Sequence, residues 1–346
     1  MRAAIFNGPR DIVVGERPDP VILQPTDAVV RVTLACVCGS DLWYYRGLSP
    51  HAPDGIGHEF VGVVEAVGSA VTAVREGDLV ISPFAFSDGT CPHCLAGYQT
   101  ACEQGGFFGG NGVDGGQGER VRVPLADGTL VRVPGGAYDD ATMRSLLTLS
   151  DVMGTGHHAL MLAAAKAGDT VAVVGDGAVG LSAVLAARRL GAGRIIALSR
   201  NPARQAMALE FGATDVVAER GDAAVEAVLA LTGGVGADAV AECVGTAESL
   251  ATAIGAVRPG SMVGMVGVPH GAEVPVGRLF AKNKGVKAGG APVRAYLPAL
   301  LHDVLDGRIN PGRVFDHETD LDHIADAYAA MDERRAIKSL VRIGRR

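Results

Sequence analysis

What this chain lacks excludes most function classes at once. It has no excess of positive charge: 31 Lys and Arg stand against 38 Asp and Glu, for a formal net charge of −7. A nucleic-acid partner ordinarily calls for a basic face, so none is expected. No apolar run approaches the length of about 18 residues that a membrane span needs. The opening MRAAIFNGPR also lacks the apolar stretch of a secretory leader. A cytoplasmic protein with no membrane partner is therefore expected. Cysteine is scarce, six residues, too few for a disulfide scaffold in a chain this long. Three of the six crowd together at 91, 94 and 102, which in a reducing compartment indicates metal before disulfide.

What is present is apolar and glycine-rich. The chain has 346 residues, 48% of them hydrophobic, enough for two cores rather than one. Up to about residue 152 it reads as short strands between turns, such as 27–37, 60–68 and 119–124, which is the texture of an antiparallel or barrel-like body. From 153 to 288 strands alternate with helices. TVAVVG (170–175), RIIALS (194–199), DAVAECVG (238–245) and SMVGMVGV (261–268) are apolar strands. LSAVLAARRLGA (181–192) and PARQAMALEFGA (202–213) are helices closing at glycine. That alternation means βαβ units and a doubly wound parallel sheet. Residues 289–346 add two helices and a final strand, KSLVRI. The fold class is thus α/β, a β-rich domain beside a Rossmann-type sheet.

GDGAVG places Gly175, Gly177 and Gly180 after a strand and at a helix start, with Ala178 and Val179 between the last two. The first glycine allows the tight turn, the second a close approach of pyrophosphate, and the third helix-on-strand packing. The next strand ends at Ser199, where an NAD site usually carries a carboxylate for the ribose 2′-hydroxyl. Ser199, Arg200 and Arg204 suit a 2′-phosphate instead, so NADP(H) is expected over NAD(H).

Two groups of residues carry metal chemistry. Cys38, the pair His58-Glu59 and Asp151 offer mixed S, N and O ligands. Three protein ligands with an open fourth position are what a catalytic zinc requires. DGTCPHCLAGYQTAC supplies Asp88, Cys91, Cys94 and Cys102, which could close a tetrahedron around a structural zinc in a lobe spanning 88–102. The alternatives there are a three-cysteine site completed by His93 or water, or no metal.

Taken in order, these motifs resemble the zinc-containing alcohol dehydrogenases of the medium-chain dehydrogenase/reductase superfamily, over essentially the whole chain. The match runs through Cys38-Gly39-Ser40-Asp41, Gly57-His58-Glu59, the cysteine lobe, the glycine loop and Val266 to Pro269. The resemblance implies a GroES-like catalytic domain with a Rossmann domain inserted near its C-terminal end. It implies two zinc ions per chain, the catalytic one on Cys38, His58 and Asp151. Zinc would lower the pKa of the alcohol, Ser40 would accept its proton, and hydride would pass to C4 of the nicotinamide. Asp41 would orient His58 from behind, and Glu59 would act as a transient fourth ligand. Thr155, Val244, Val266 and Val268 would border the cofactor, and Phe84, Phe107, Phe108, Trp43 and Val268 would wall the substrate. Many relatives carry a proton-passing histidine five residues after the first cysteine; here that position is Trp43. A secondary alcohol or ketone substrate is expected, in a homodimer or homotetramer. The competing expectations are a quinone or alkene reductase of the same fold, whose members usually lack the zinc ligands, and a non-enzymatic zinc- and nucleotide-binding protein.

Overall fold

In the computed structural model, residues 1–52, 54–110 and 113–344 are described. They divide into two compact units, Met1–Asp151 with Pro292–Arg346, and Val152–Ala291.

The first unit is built on a sheet of seven strands. Its spine is Ala28–Cys36, flanked on one side by Phe60–Val67 and Leu79–Ser82 and on the other by Lys338–Arg342 and Phe315–Asp320. The Val-rich alternation of 28–36 and 60–67 makes both strands stiff and apolar on one face. They pair antiparallel from Ala28↔Val67 to Ala35↔Phe60, with two register shifts. The returning C-terminal strand closes against the spine at Leu340↔Cys36, so residues about 300 apart in sequence become neighbours. Val30, Val32, Phe60, Val64, Val80 and Val121 fill one core beneath this sheet. A second core gathers Phe6, Val37, Ile56, Tyr328 and Val341. The unit is less purely β than its sequence suggests. DATMRSLLT (Asp140–Thr148) is a helix, capped by the Asp139 carboxylate accepting from Thr142 N at 2.8 Å.

The second unit is a six-stranded parallel sheet. Its strand order is Asp215–Val217, Arg194–Leu198, Thr170–Val174, Ala237–Glu242, Val257–Met265, Gly285–Ala288. The order reverses between Thr170–Val174 and Ala237–Glu242, and ligands of such sheets bind beyond the carboxyl ends of the strands at that point. Three strands are buried at nearly every position, the pattern of a parallel sheet covered on both faces. The helices cover it closely. A Cβ added at Gly264 would lie 1.9 Å from the carbonyl oxygen of Ala159.

Candidate active site and zinc-ligand clusters

The first cluster forms entirely within the first unit. Cys38 leaves the spine strand just before the short helix Asp41–Tyr45, His58-Glu59 enters the strand Phe60–Val67, and Asp151 follows the helix Asp140–Thr148. One ligating atom from each of Cys38, His58, Glu59 and Asp151 lies within 4.8 Å of the others. Cys38 Sγ is 3.8 Å from Asp151 Oδ2, and His58 Nε2 is 3.5 Å from the same oxygen. Ligands at ordinary Zn–S, Zn–N and Zn–O lengths in a tetrahedron lie about 3.4–3.6 Å apart. The donor set fits zinc.

Electrostatics point the same way. Burial raises the Cys38 thiol pKa, and the Glu59 carboxylate pushes it higher. Burial by itself would lower the His58 pKa, but the Asp41 and Cys38 charges and a hydrogen bond to Asp151 raise it well above normal. Acidic groups have been packed together in a buried site, an arrangement that a bound cation relieves. Behind the ligands, Asp41 Oδ1 stands 3.4 Å from His58 Nδ1, while Oδ2 accepts from Cys38 N at 2.9 Å. Nε2 of His58 is thereby left facing the cluster. Ser40 precedes the Asp41–Tyr45 helix, and its hydroxyl does not cap it. Phe84 meets the His58 ring edge-on at 6.2 Å and stacks on Phe107 at 5.9 Å, an apolar wall beside the cluster. Trp43 is half-buried on the helix after Ser40.

The lobe brings together the second set. Asp88, Cys91, Cys94 and Cys102 also present ligating atoms within 4.8 Å of one another, with Cys91 Sγ and Cys102 Sγ 3.9 Å apart. Two thiolates on one tetrahedral zinc lie about 3.8 Å apart. Asp88 Oδ1 accepts from Thr90 N and Cys91 N. Those backbone bonds and the neighbouring thiols outweigh desolvation and hold its pKa down to about 2. Desolvation and the thiol of Cys102 push Cys94 up to about 12. His93 is not part of this set: its side chain is 54% exposed and faces Glu103 at 3.8 Å. Here, too, the donors fit zinc.

In the second unit, the helix Ala178–Leu190 starts directly at Gly177 with no side-chain cap, so its first N–H groups are available to an anion. Gly175 has φ +122°, and a Cβ on Gly180 would sit 1.9 Å from the Gly175 carbonyl oxygen, so neither can carry a side chain. A Cβ on Gly177 would meet nothing within 4 Å. The protein itself does not need that glycine bare, which fits a ligand approaching there. Val244 and Val268 are exposed on the loops at the same sheet edge, and Val266 and Thr155 are half-buried in this unit.

Residues 24–135 match the alcohol dehydrogenase GroES-like domain, and residues 178–300 match the zinc-binding dehydrogenase domain. Zinc-type alcohol dehydrogenase B of Aspergillus flavus is 33% identical, over 99% of this chain and 82% of its own length. The structure of alcohol dehydrogenase TADH from Thermus sp. ATN1 superposes with a TM-score of 0.92 at 36% identity, covering 99% of this chain and all of that one. This chain belongs to the zinc-type alcohol dehydrogenase family. The NADP-dependent isopropanol dehydrogenase of Thermoanaerobacter brockii is a further relative, 33% identical over 92% of each chain.

Within this zinc-type dehydrogenase, four features depart from the sequence reading. Phe108 is not a wall residue: it is 3% exposed and packs edge-on against Phe60 and Phe86 in the core. Arg204, expected to suit a 2′-phosphate, already has a carboxylate partner. Its guanidinium is 9% exposed and pairs with Asp176 at 3.2 Å, because the glycine loop carries an acid at its second position. The third feature went unforeseen. Lys338 donates to Glu59 Oε1 at 2.7 Å and to the carbonyl of Val37 at 3.2 Å, with both side chains sealed at 1% and 0% exposure. Burial would lower the Lys338 pKa, yet Cys36 and Glu59 raise it well above normal. Gln117 was likewise unforeseen. It donates to Asp41 Oδ2 at 3.4 Å and accepts from Tyr328 OH at 2.8 Å.

Proposed function

We propose that this enzyme oxidises a secondary alcohol, or reduces the corresponding ketone, with NADP(H) as hydride carrier and two zinc ions per chain. The observation that carries the reading is the donor set itself. Cys38, His58 and Asp151 converge, while Glu59 has one oxygen committed to Lys338, so three protein ligands leave a position for substrate. A zinc ion held there would supply the Lewis acidity that brings an alcohol's pKa toward neutrality. The same donor set weighs against the zinc-free reductase reading.

The chain's own residues do the rest. Cys38 and Asp151 bring two negative charges to balance a dication. Asp41 fixes the His58 ring through Nδ1 and leaves Nε2 for the metal. Ser40, whose hydroxyl is not spent on a helix cap, is assigned to take the alcohol's proton. Phe84 and Phe107 present an apolar wall that excludes water and favours a hydrophobic substrate. Thr155, Val244, Val266 and Val268 are assigned to border the nicotinamide, and Gly175, Gly177, Ala178, Val179 and Gly180 to cradle the pyrophosphate. The lobe, closed by Asp88, Cys91, Cys94 and Cys102, serves stability.

The secondary-alcohol assignment draws support from aspartate as the third ligand and from the isopropanol-oxidising relative. The NADP(H) preference draws support from Ser199 in place of a carboxylate and from the exposed Arg200 next to it. A cytoplasmic homodimer or homotetramer is the assembly proposed. A panel of primary and secondary alcohols and ketones, assayed with both cofactors beside elemental zinc analysis, tests the reading. Asp151→Ala should lose catalytic zinc and nearly all turnover while keeping its fold. Full activity and zinc content in that variant would reassign the third ligand.

A further inference from the structure

Asp176 is the residue between Gly175 and Gly177, a position whose side chain the glycine pattern leaves open. Its carboxylate lies across from the end of the neighbouring strand. Ser199 Oγ donates to Asp176 Oδ2 at 2.9 Å, and Arg204 Nη1 donates to Asp176 Oδ1 at 3.2 Å and to its main-chain oxygen at 3.3 Å. The placement follows from register. Val174 pairs with Leu198, so the loop residue two places beyond one strand end meets the residue just beyond the other. That strand end is where dinucleotide sites hold the adenosine ribose and where an NAD site keeps its acid. The acid missing from the second strand has arrived from the first loop, with a guanidinium laid against it.

We propose that Asp176, with Arg204 as its counter-charge, is a specificity-determining residue for the 2′ substituent of the cofactor. Its carboxylate stands at the ribose position, and Arg204 masks the negative charge that would otherwise repel a 2′-phosphate. The inference rests on the nucleotide-site reading above and not on the NADP(H) preference itself. Asp176 bare would favour a free 2′-hydroxyl, Arg204 bare would favour a 2′-phosphate, and the pair holds the site between those limits. Arg200, exposed and next to Ser199 in the chain, is left to meet the phosphate directly.

The test is fragment binding by calorimetry to the zinc-loaded full chain, comparing adenosine 2′,5′-bisphosphate with 5′-AMP. These differ only in the 2′-phosphate, and neither needs the metal site. Arg204→Met unmasks Asp176 and should weaken the bisphosphate about tenfold while hardly changing 5′-AMP. Asp176→Asn keeps a side-chain oxygen for the hydrogen bond from Ser199 but removes the negative charge opposite Arg204, and should tighten the bisphosphate by about the same factor. The double variant carries no charge at either position and should return near the wild-type ratio. Three results would overturn the proposal. One is a double variant as weak for the bisphosphate as Arg204→Met, which would mean that Arg204 grips the phosphate itself. The second is an unchanged ratio in Asp176→Asn, and this variant decides alone if Arg204→Met does not fold. The third is equal loss of both fragments in every variant, the mark of a purely structural pair. Failure of the wild type to bind either fragment would instead remove the nucleotide-site reading on which the proposal stands.

Discussion

Lys338→Met tests whether the buried lysine holds the metal site's carboxylate in place. Methionine keeps most of the side chain's length and volume but not its charge. Glu59 would then stand fully buried with its partner gone, within reach of the Cys38 and Asp151 ligand atoms and with Oε2 already lacking a hydrogen-bond partner among the described residues. Removing one member of a buried ion pair costs about 3–5 kcal/mol, because the survivor keeps its desolvation penalty. For a folding unit of roughly 200 residues that corresponds to a fall of about 6–20 °C in Tm. Urea denaturation of the zinc-loaded protein gives the free energy directly. Glu59→Gln and the double variant complete a cycle in which the double substitution should cost at least about 2 kcal/mol less than the sum of the singles. The sign with pH is fixed. The folded pKa of Lys338 is raised, so its contribution is fully present below the unfolded value of 10.5 and is lost only as pH rises beyond it. The variant's deficit should therefore be undiminished through neutral pH. A cost below about 1 kcal/mol, or strict additivity in the cycle, would refute the pairing as a determinant of this site.

Two further predictions concern the lobe and the helix Val152–Leu162. Asp88→Ala should release the lobe zinc and lower the unfolding midpoint before it affects chemistry at the other site; two zinc ions per chain in this variant would remove Asp88 from the ligand set. His157 and His158 are buried on that helix, and burial, joined by the charges of Arg189 and Lys287 respectively, holds each pKa down to about 4. The unfolded chain binds those protons more readily, so stability is complete above about 6.5 and is lost as pH falls toward 4, by about 1.4 kcal/mol per pH unit for each ring. The His157→Gln/His158→Gln double variant should flatten the acid limb of a urea-midpoint profile, and an unchanged slope would place the acid sensitivity elsewhere.

How legible these features were in sequence depended on whether backbone or side chains wrote the signal. The strands Thr170–Val174 and Arg194–Leu198 end within a residue of their apolar runs, because burial on both faces leaves almost nothing but apolar residues between the turns, and Phe60–Val67 is legible from its valine-rich buried face. The helix Pro202–Phe211 begins at an Asn201 cap and ends at Gly212 with φ +115°, both readable signals. Asp140–Thr148 and Gly221–Leu231 were harder. The first is nine residues long and mostly polar, and the second starts without a side-chain cap. The cysteine lobe is local and was legible, whereas Lys338 was not. In KSLVRI a terminal lysine reads as the solvent end of a strand. The strand is in fact buried from Lys338 to Val341, because it inserts beside the spine at Cys36. Only tertiary pairing brings it to Glu59.

Arg204 was illegible in sequence for a related reason. The glycine fingerprint constrains backbone: a positive φ at Gly175, no Cβ at Gly180, open space at Gly177. It says nothing about charge at the position between, so Asp176 passed as filler. The usual rule inspects the end of the second strand alone, where Ser199 and two arginines imply a phosphate-seeking site. Parallel register sets the first loop against that strand end, however, so the charge there is a sum over both. Here that strand end carries one carboxylate with its guanidinium partner, beside the Ser199 hydroxyl. In a parallel sheet of this kind both strand ends set the sign of the charge at that edge.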